Sequence, residues 1–244
     1  MNMEFNIIFY STLAGLSTIL GIILVTFNEK IVLRYSHYVN SFAAGLILGI
    51  AFFHLFPESM KLTSKAFLFI VTGFLLFYLL ESGIVIHSGS EIHFDKKDIH
   101  HHNKGVVMFS GLFFHSFIDG IIIGVSFGVG PKLGLLTSLG VILHELPEGV
   151  TTFSLLLNSL KRSTALKMSL AVALATPLGA LICLAFVGNL SELTIGNLIA
   201  ITGGSLLYIA AADLIPETHS TKGLQNAGFL LLGVLLLFLL SNLD

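Results

Sequence analysis

Apolar runs long enough to cross a bilayer recur along the whole chain, and no other feature of the sequence constrains its fold so tightly. A helix rises about 1.5 Å per residue, so about 20 residues cover a hydrocarbon core about 30 Å thick. Runs of about that length lie at Ile7 to Phe27, Asn40 to Phe56, Ala66 to Ile86, Gly105 to Val129, Leu133 to Leu157, Ala165 to Val187, Gly196 to Ile215 and Asn226 to Leu240. Only 11% of the 244 residues are charged, against about 25% in soluble domains, and 55% are hydrophobic. One soluble core is excluded on that balance. The expected class is an all-α integral membrane protein with eight transmembrane helices, forming a single transmembrane domain over residues 1–244 in contact with the lipid bilayer.

Other classes fall away on composition. The N-terminal run lacks the basic start, short apolar core and small-residue cleavage site of a secretory signal, so it is read as a span. Cys183 stands alone, which leaves no intrachain disulfide and no thiolate cluster. With 12 Lys and Arg against 14 Asp and Glu there is no basic field for nucleic acid.

Basic residues near span ends resist translocation and stay cytoplasmic. With the N-terminus outside, the inner connections hold nine Lys and Arg residues and the outer ones three. Both termini are therefore expected to be extracytoplasmic in a multi-pass cell-membrane protein. The polar stretch 87–104, rich in histidine, then becomes a cytoplasmic loop. Its histidines, among them His87, His93, His100, His101 and His102, are read either as a loose metal sensor or as solvated loop residues.

The chain also echoes itself. The second run ends in HLFPES (His54 to Ser59) and the seventh in DLIPET (Asp213 to Thr218). Runs two and seven traverse the membrane in opposite senses, as an inverted repeat requires: runs one to three mirrored by six to eight, with four and five between, a 3+2+3 arrangement.

Ionisable groups inside a span cost several kcal/mol unless they face a cavity or a partner, which makes them candidates for function. The fourth run carries His115, Ser116 and Asp119 in HSFIDG, and the fifth carries His144, Glu145 and Glu148 in HELPEG. His115 lies ten residues past Gly105 and His144 eleven past Leu133, so both imidazoles fall about 15 Å into the bilayer. On each helix an imidazole and a carboxylate at i, i+4 share one face. Imidazole and carboxylate without thiolate suit zinc, iron, manganese or cadmium, with zinc the first expectation, and argue against copper(I). Pro147 cannot donate to the carbonyl of Leu143, so a bend and a free carbonyl are expected there.

HSFIDG and HELPEG resemble the paired signatures of the Zrt/Irt-like (ZIP) family of metal transporters, HNxxDG and HExPEG. The resemblance extends to HLFPES, to TPLGA in run six and to GGSLLYIAAADLIPETH in run seven. It implies eight helices in a 3+2+3 order, extracytoplasmic termini and uptake of divalent metal toward the cytoplasm. It makes His115, His144 and Glu148 the central ligands, with His54 as a fourth, and places Glu145 and Asp119 as further polar pathway residues. Two positions depart from the family pattern: Ser116 stands where Asn is common, and Thr176 where an acid often precedes Pro-x-Gly. Neutral hydroxyls ligate weakly, so one tightly held central ion is expected, with a second held only weakly if at all.

His54 and Glu58 fall toward the outer end of run two, and Asp213, Glu217 and His219 toward the inner end of run seven, as an entry and an exit would. The competing reading leaves Glu58, Glu217 and His219 as helix-end residues in water. Two other classes weaken on the residues: an intramembrane metalloprotease would need H-E-x-x-H, where HELPE has Glu148 in place of the second His, and a haem site using His115 and His144 sits poorly beside three acids. A transporter rather than an enzyme is expected, moving ions as one helix group rocks against another; a homodimer is compatible with such a chain.

Overall fold

A computed structural model describes the backbone of residues 2–84, 101–216 and 224–241, and all regular structure within them is helical. The first helical run, Met3–Ile50, breaks at Asn28 (φ −159°, ψ 81°), which divides it into a first helix, Met3–Asn28, and a second, Arg34–Leu62. Helices three to eight are Ala66–Ile84, His101–Val129, Pro131–Ser159, Arg162–Val187, Glu192–Tyr208 and Leu224–Ser241. Helices one, two, four, six and seven contain stretches long and apolar enough to cross a membrane, and three and eight contain shorter apolar stretches. Helix five is too polar to qualify by composition. Its Thr137, Ser138, His144, Glu145 and Thr152 are buried, because helices one, four and six pack around it.

Close backbone approach, made possible by glycine, sorts the helices into two bodies. Gly21 of helix one and Gly149 of helix five each face the other's backbone, as do Gly120 of helix four and Gly179 of helix six. Gly45 and Gly233 join helices two and eight in the same way, and Gly73 and Gly204 join three and seven. Gly15 of helix one against the Ala173 carbonyl of helix six ties the first two pairs into one body of helices one, four, five and six, and Gly196 of helix seven against Leu62 of helix two ties the others into a body of two, three, seven and eight. Mapping one onto six, two onto seven, three onto eight and four onto five turns each glycine-sealed crossing into the other crossing of its own body, as an inverted repeat demands.

The backbone repeats the pattern. Ala51–Leu55 and Ile209–Leu214 are π turns, closed by Phe56 N–H to Ala51 O and by Ile215 N–H to Ala210 O. One residue separates each from a proline, Pro57 and Pro216, whose missing N–H and bulky ring the widened turn accommodates. Gly45 and Gly204 each lie twelve residues ahead of that proline.

Local structure adds three findings. The connection between the first two spans is helical, because the Asn28 side chain accepts from Ile31 N–H (3.2 Å) and restarts the helix within one residue. Helix four begins at His101, inside the stretch expected to be a loop. Helix five runs unbroken through Pro147. The rest of the histidine-rich segment, with His87, His93 and His100, lies outside the described residues, as do Glu217 and His219.

Candidate metal centre

Helices four and five cross so that the i, i+4 pair of each faces the other. Nε2 of His144 lies 3.0 Å from Oδ2 of Asp119, and Nε2 of His115 lies 3.5 Å from both Asp119 Oδ2 and Glu148 Oε2. Glu148 Oε2 is 3.9 Å from His144 Nε2. One atom from each of these four residues falls within 4.8 Å of all the others. The imidazoles stand edge to face, 5.8 Å between centroids, and Phe77 of helix three meets the His115 ring at 5.9 Å.

The polar contacts leave the centre short of positive charge. His144 Nδ1 points at the Gly140 carbonyl one turn earlier, 3.2 Å away, which commits the Nδ1 proton and turns Nε2 toward the acids. Nε2 and Asp119 Oδ2 then face each other with one cation or one proton to share. Asp119 Oδ1 and Glu148 Oε2 are buried without a hydrogen-bond partner, and each such oxygen costs about 1–3 kcal/mol when left so. A divalent ion among two nitrogens and two carboxylates would satisfy the set in one step.

Each expected site residue has a definite place, so far as it is described. His115, His144, Glu148 and Asp119 come together. Ser116 sits beside them and donates to Glu148 Oε1 at 2.8 Å, leaving Oε2 to face the imidazoles. Glu145 points away, fully buried, and accepts hydrogen bonds from Thr176 Oγ1 (2.5 Å) and from Thr18 Oγ1. His54 stands in the π turn of helix two, outside the four-residue group, with both ring nitrogens lacking a hydrogen-bond partner. Glu58 forms an ion pair with Lys61 at 2.9 Å at the end of the same helix. The backbone of Asp213 lies in the second π turn; Glu217 is outside the described residues.

The sequence reading passed over Thr18 altogether. A signal for it existed: Thr18 to Gly21 (TILG) and Thr176 to Gly179 (TPLG) are the same pattern, Thr-x-Leu-Gly, in helices that the repeat equates.

Beyond this geometry, residues 85–241 match the family model of the ZIP zinc transporter. The chain belongs to the ZIP family. Its curated ZIP relatives include zinc transporter ZIP13 of Pongo abelii, 29% identical over 198 residues that make up 70% of this chain and 56% of that protein. ZIP13 of Mus musculus is 27% identical over 248 residues, covering 82% of this chain and 68% of its own. Zinc transporter SLC39A7 of Sus scrofa is 42% identical over 72 residues, 30% of this chain and 15% of its own. This ZIP chain thus spans about half the length of the first such relative.

Proposed function

We propose that this chain carries divalent transition metal ions, zinc foremost, across a cell membrane toward the cytoplasm, holding them at His115, Asp119, His144 and Glu148. The observation that carries the reading is the convergence of those four donors within 4.8 Å at the depth where two membrane helices cross. Two imidazoles favour zinc, iron, manganese and cadmium over magnesium and calcium, which prefer all-oxygen shells. Membership of a transporter family supports transport over the metalloprotease or haem alternatives.

The two bodies suggest how the ion moves. Within each body, glycines let backbones touch, and such contacts deform little. Between bodies, Gly140 of helix five meets Ile47 and Ile50 of helix two through side chains alone, the closest being Ile50 Cδ1, 2.5 Å from a Cβ placed at Gly140. Side-chain tips can slide past a glycine, so the body holding the site is free to shift against the other. His115 retains 19% of its side-chain exposure while Asp119, one turn further along helix four, has none. With the N-terminus outside, the His115 side is the cytoplasmic side, which fits a site opening inward.

Uptake of zinc, iron, manganese and cadmium into proteoliposomes tests the reading, with His144→Ala, Glu148→Ala and Asp119→Ala as controls. Zinc uptake abolished in all three, with normal insertion, is the expected result; uptake by Glu148→Ala at the parental rate would refute the site.

A further inference from the structure

Resting on the metal site just described, we propose that Glu145 is a positioning residue, a rivet between helices one, five and six that holds the site in shape without touching the ion. Its two carboxylate oxygens accept from two threonines, Thr18 on Oε2 and Thr176 on Oε1. Glu145, Thr18 and Thr176 are all fully buried. Its neighbours in sequence, His144 on one side and Glu148 one turn on, both reach the four-residue centre, yet Glu145 contributes no atom to it.

The repeat explains the arrangement. Thr18 and Thr176 occupy equivalent places in helices one and six, and their carbonyls are the ones against which Gly149 and Gly120 are packed. Each threonine therefore marks a crossing, helix one with five and helix six with four, and the Glu145 side chain spans the gap between the crossings. Ser116 is its counterpart on helix four, one residue after the histidine in each motif. Too short to reach the threonines, Ser116 turns to Glu148 instead. The pseudo-twofold symmetry is thus broken at one position: the longer side chain ties the body together and the shorter one aims a ligand.

Two neutral hydroxyls satisfy a buried carboxylate's acceptors and occupy the room around it. A glutamine can do nearly the same work. Its carbonyl accepts from one threonine and its amide donates to the other, whose own hydroxyl has a second acceptor waiting in the case of Thr18, the Ala14 carbonyl at 3.3 Å. Glu145→Gln therefore separates a rivet from a ligand, since the amide keeps the tie and loses the charge.

Zinc is titrated against a competing chelator into the purified full chain in lipid nanodiscs, and bound zinc is counted. The rivet predicts one zinc per chain in the parent and in Glu145→Gln, with affinities within about threefold of each other, and a loss of about tenfold or more in Thr18→Val/Thr176→Val, the usual scale for removing groups that orient ligands. Thr18→Ser/Thr176→Ser, which keeps both hydroxyls, restores binding and covers the case in which the valine variant does not insert. Loss of a bound zinc in Glu145→Gln, or parental affinity in the double valine variant, overturns the rivet while leaving the metal site standing. No zinc bound by the parent overturns the site itself.

Discussion

The α-carbon of Gly149 lies against the carbonyl oxygen of Thr18 with no room for a side chain between them. This contact seats the last residue of HELPEG on helix one, and its counterpart seats Gly120 of HSFIDG on Thr176 of helix six. The glycine closing each motif thus sets how close its helix comes to its neighbour, and so where the preceding carboxylate stands.

Gly149→Ala is expected to force helices one and five apart, at about 1–3 kcal/mol for overpacking a tight contact, and to lower both the melting temperature and zinc affinity. Gly228 is the control, because nothing lies within 4 Å of a Cβ built there. Gly228→Ala should hold or raise the melting temperature, alanine being the better helix former by up to about 1 kcal/mol. Equal melting curves for the two variants would contradict the packing account.

Ser116 holds Glu148 by one hydrogen bond of 2.8 Å. Removing it in Ser116→Ala frees the carboxylate to rotate, and zinc affinity should fall by about tenfold with stoichiometry unchanged. Calorimetric titration gives both quantities, and a drop in the number of ions bound would instead make Ser116 a ligand.

Protons compete with the metal for every donor in the centre, since imidazole must be neutral and carboxylate ionised to bind. Zinc affinity should therefore fall as the buffer is taken from neutral to acid, with protons released on binding. Titration in buffers of different ionisation enthalpy counts those protons; a heat independent of buffer would count against the His and acid ligand set.

Among the described glycines, Gly140 meets the opposite body, and within 4 Å of its Cβ position lie only isoleucine side chains. Gly140→Ala should leave insertion and zinc binding close to parental while slowing uptake several-fold, because the added methyl, 2.5 Å from Ile50 Cδ1, obstructs the slide past Ile47 and Ile50. Stopped-flow uptake compared with equilibrium binding separates the two effects, and parental uptake would remove Gly140 from the moving surface.

Much of this protein is written in local order. Span length, the i, i+4 pairing of His115 with Asp119 and of His144 with Glu148, and the HLFPES and DLIPET echo all follow from residue spacing alone, because helix rise and pitch turn spacing into depth and face. The break at Asn28 escaped because a single capping side chain, with no Gly or Pro beside it, ends one helix and starts the next. What spacing could not supply was the pairing of helices. The direction of the Glu145 side chain depends on Thr18, 127 residues earlier in the chain, and a contact between distant segments exists only once the helices have chosen their neighbours. The gathering of Asp119 into the four-donor centre with His54 left outside it was decided the same way, by glycine-sealed crossings that set which faces meet. Sequence fixes what each helix presents; packing alone determines what that face finds opposite.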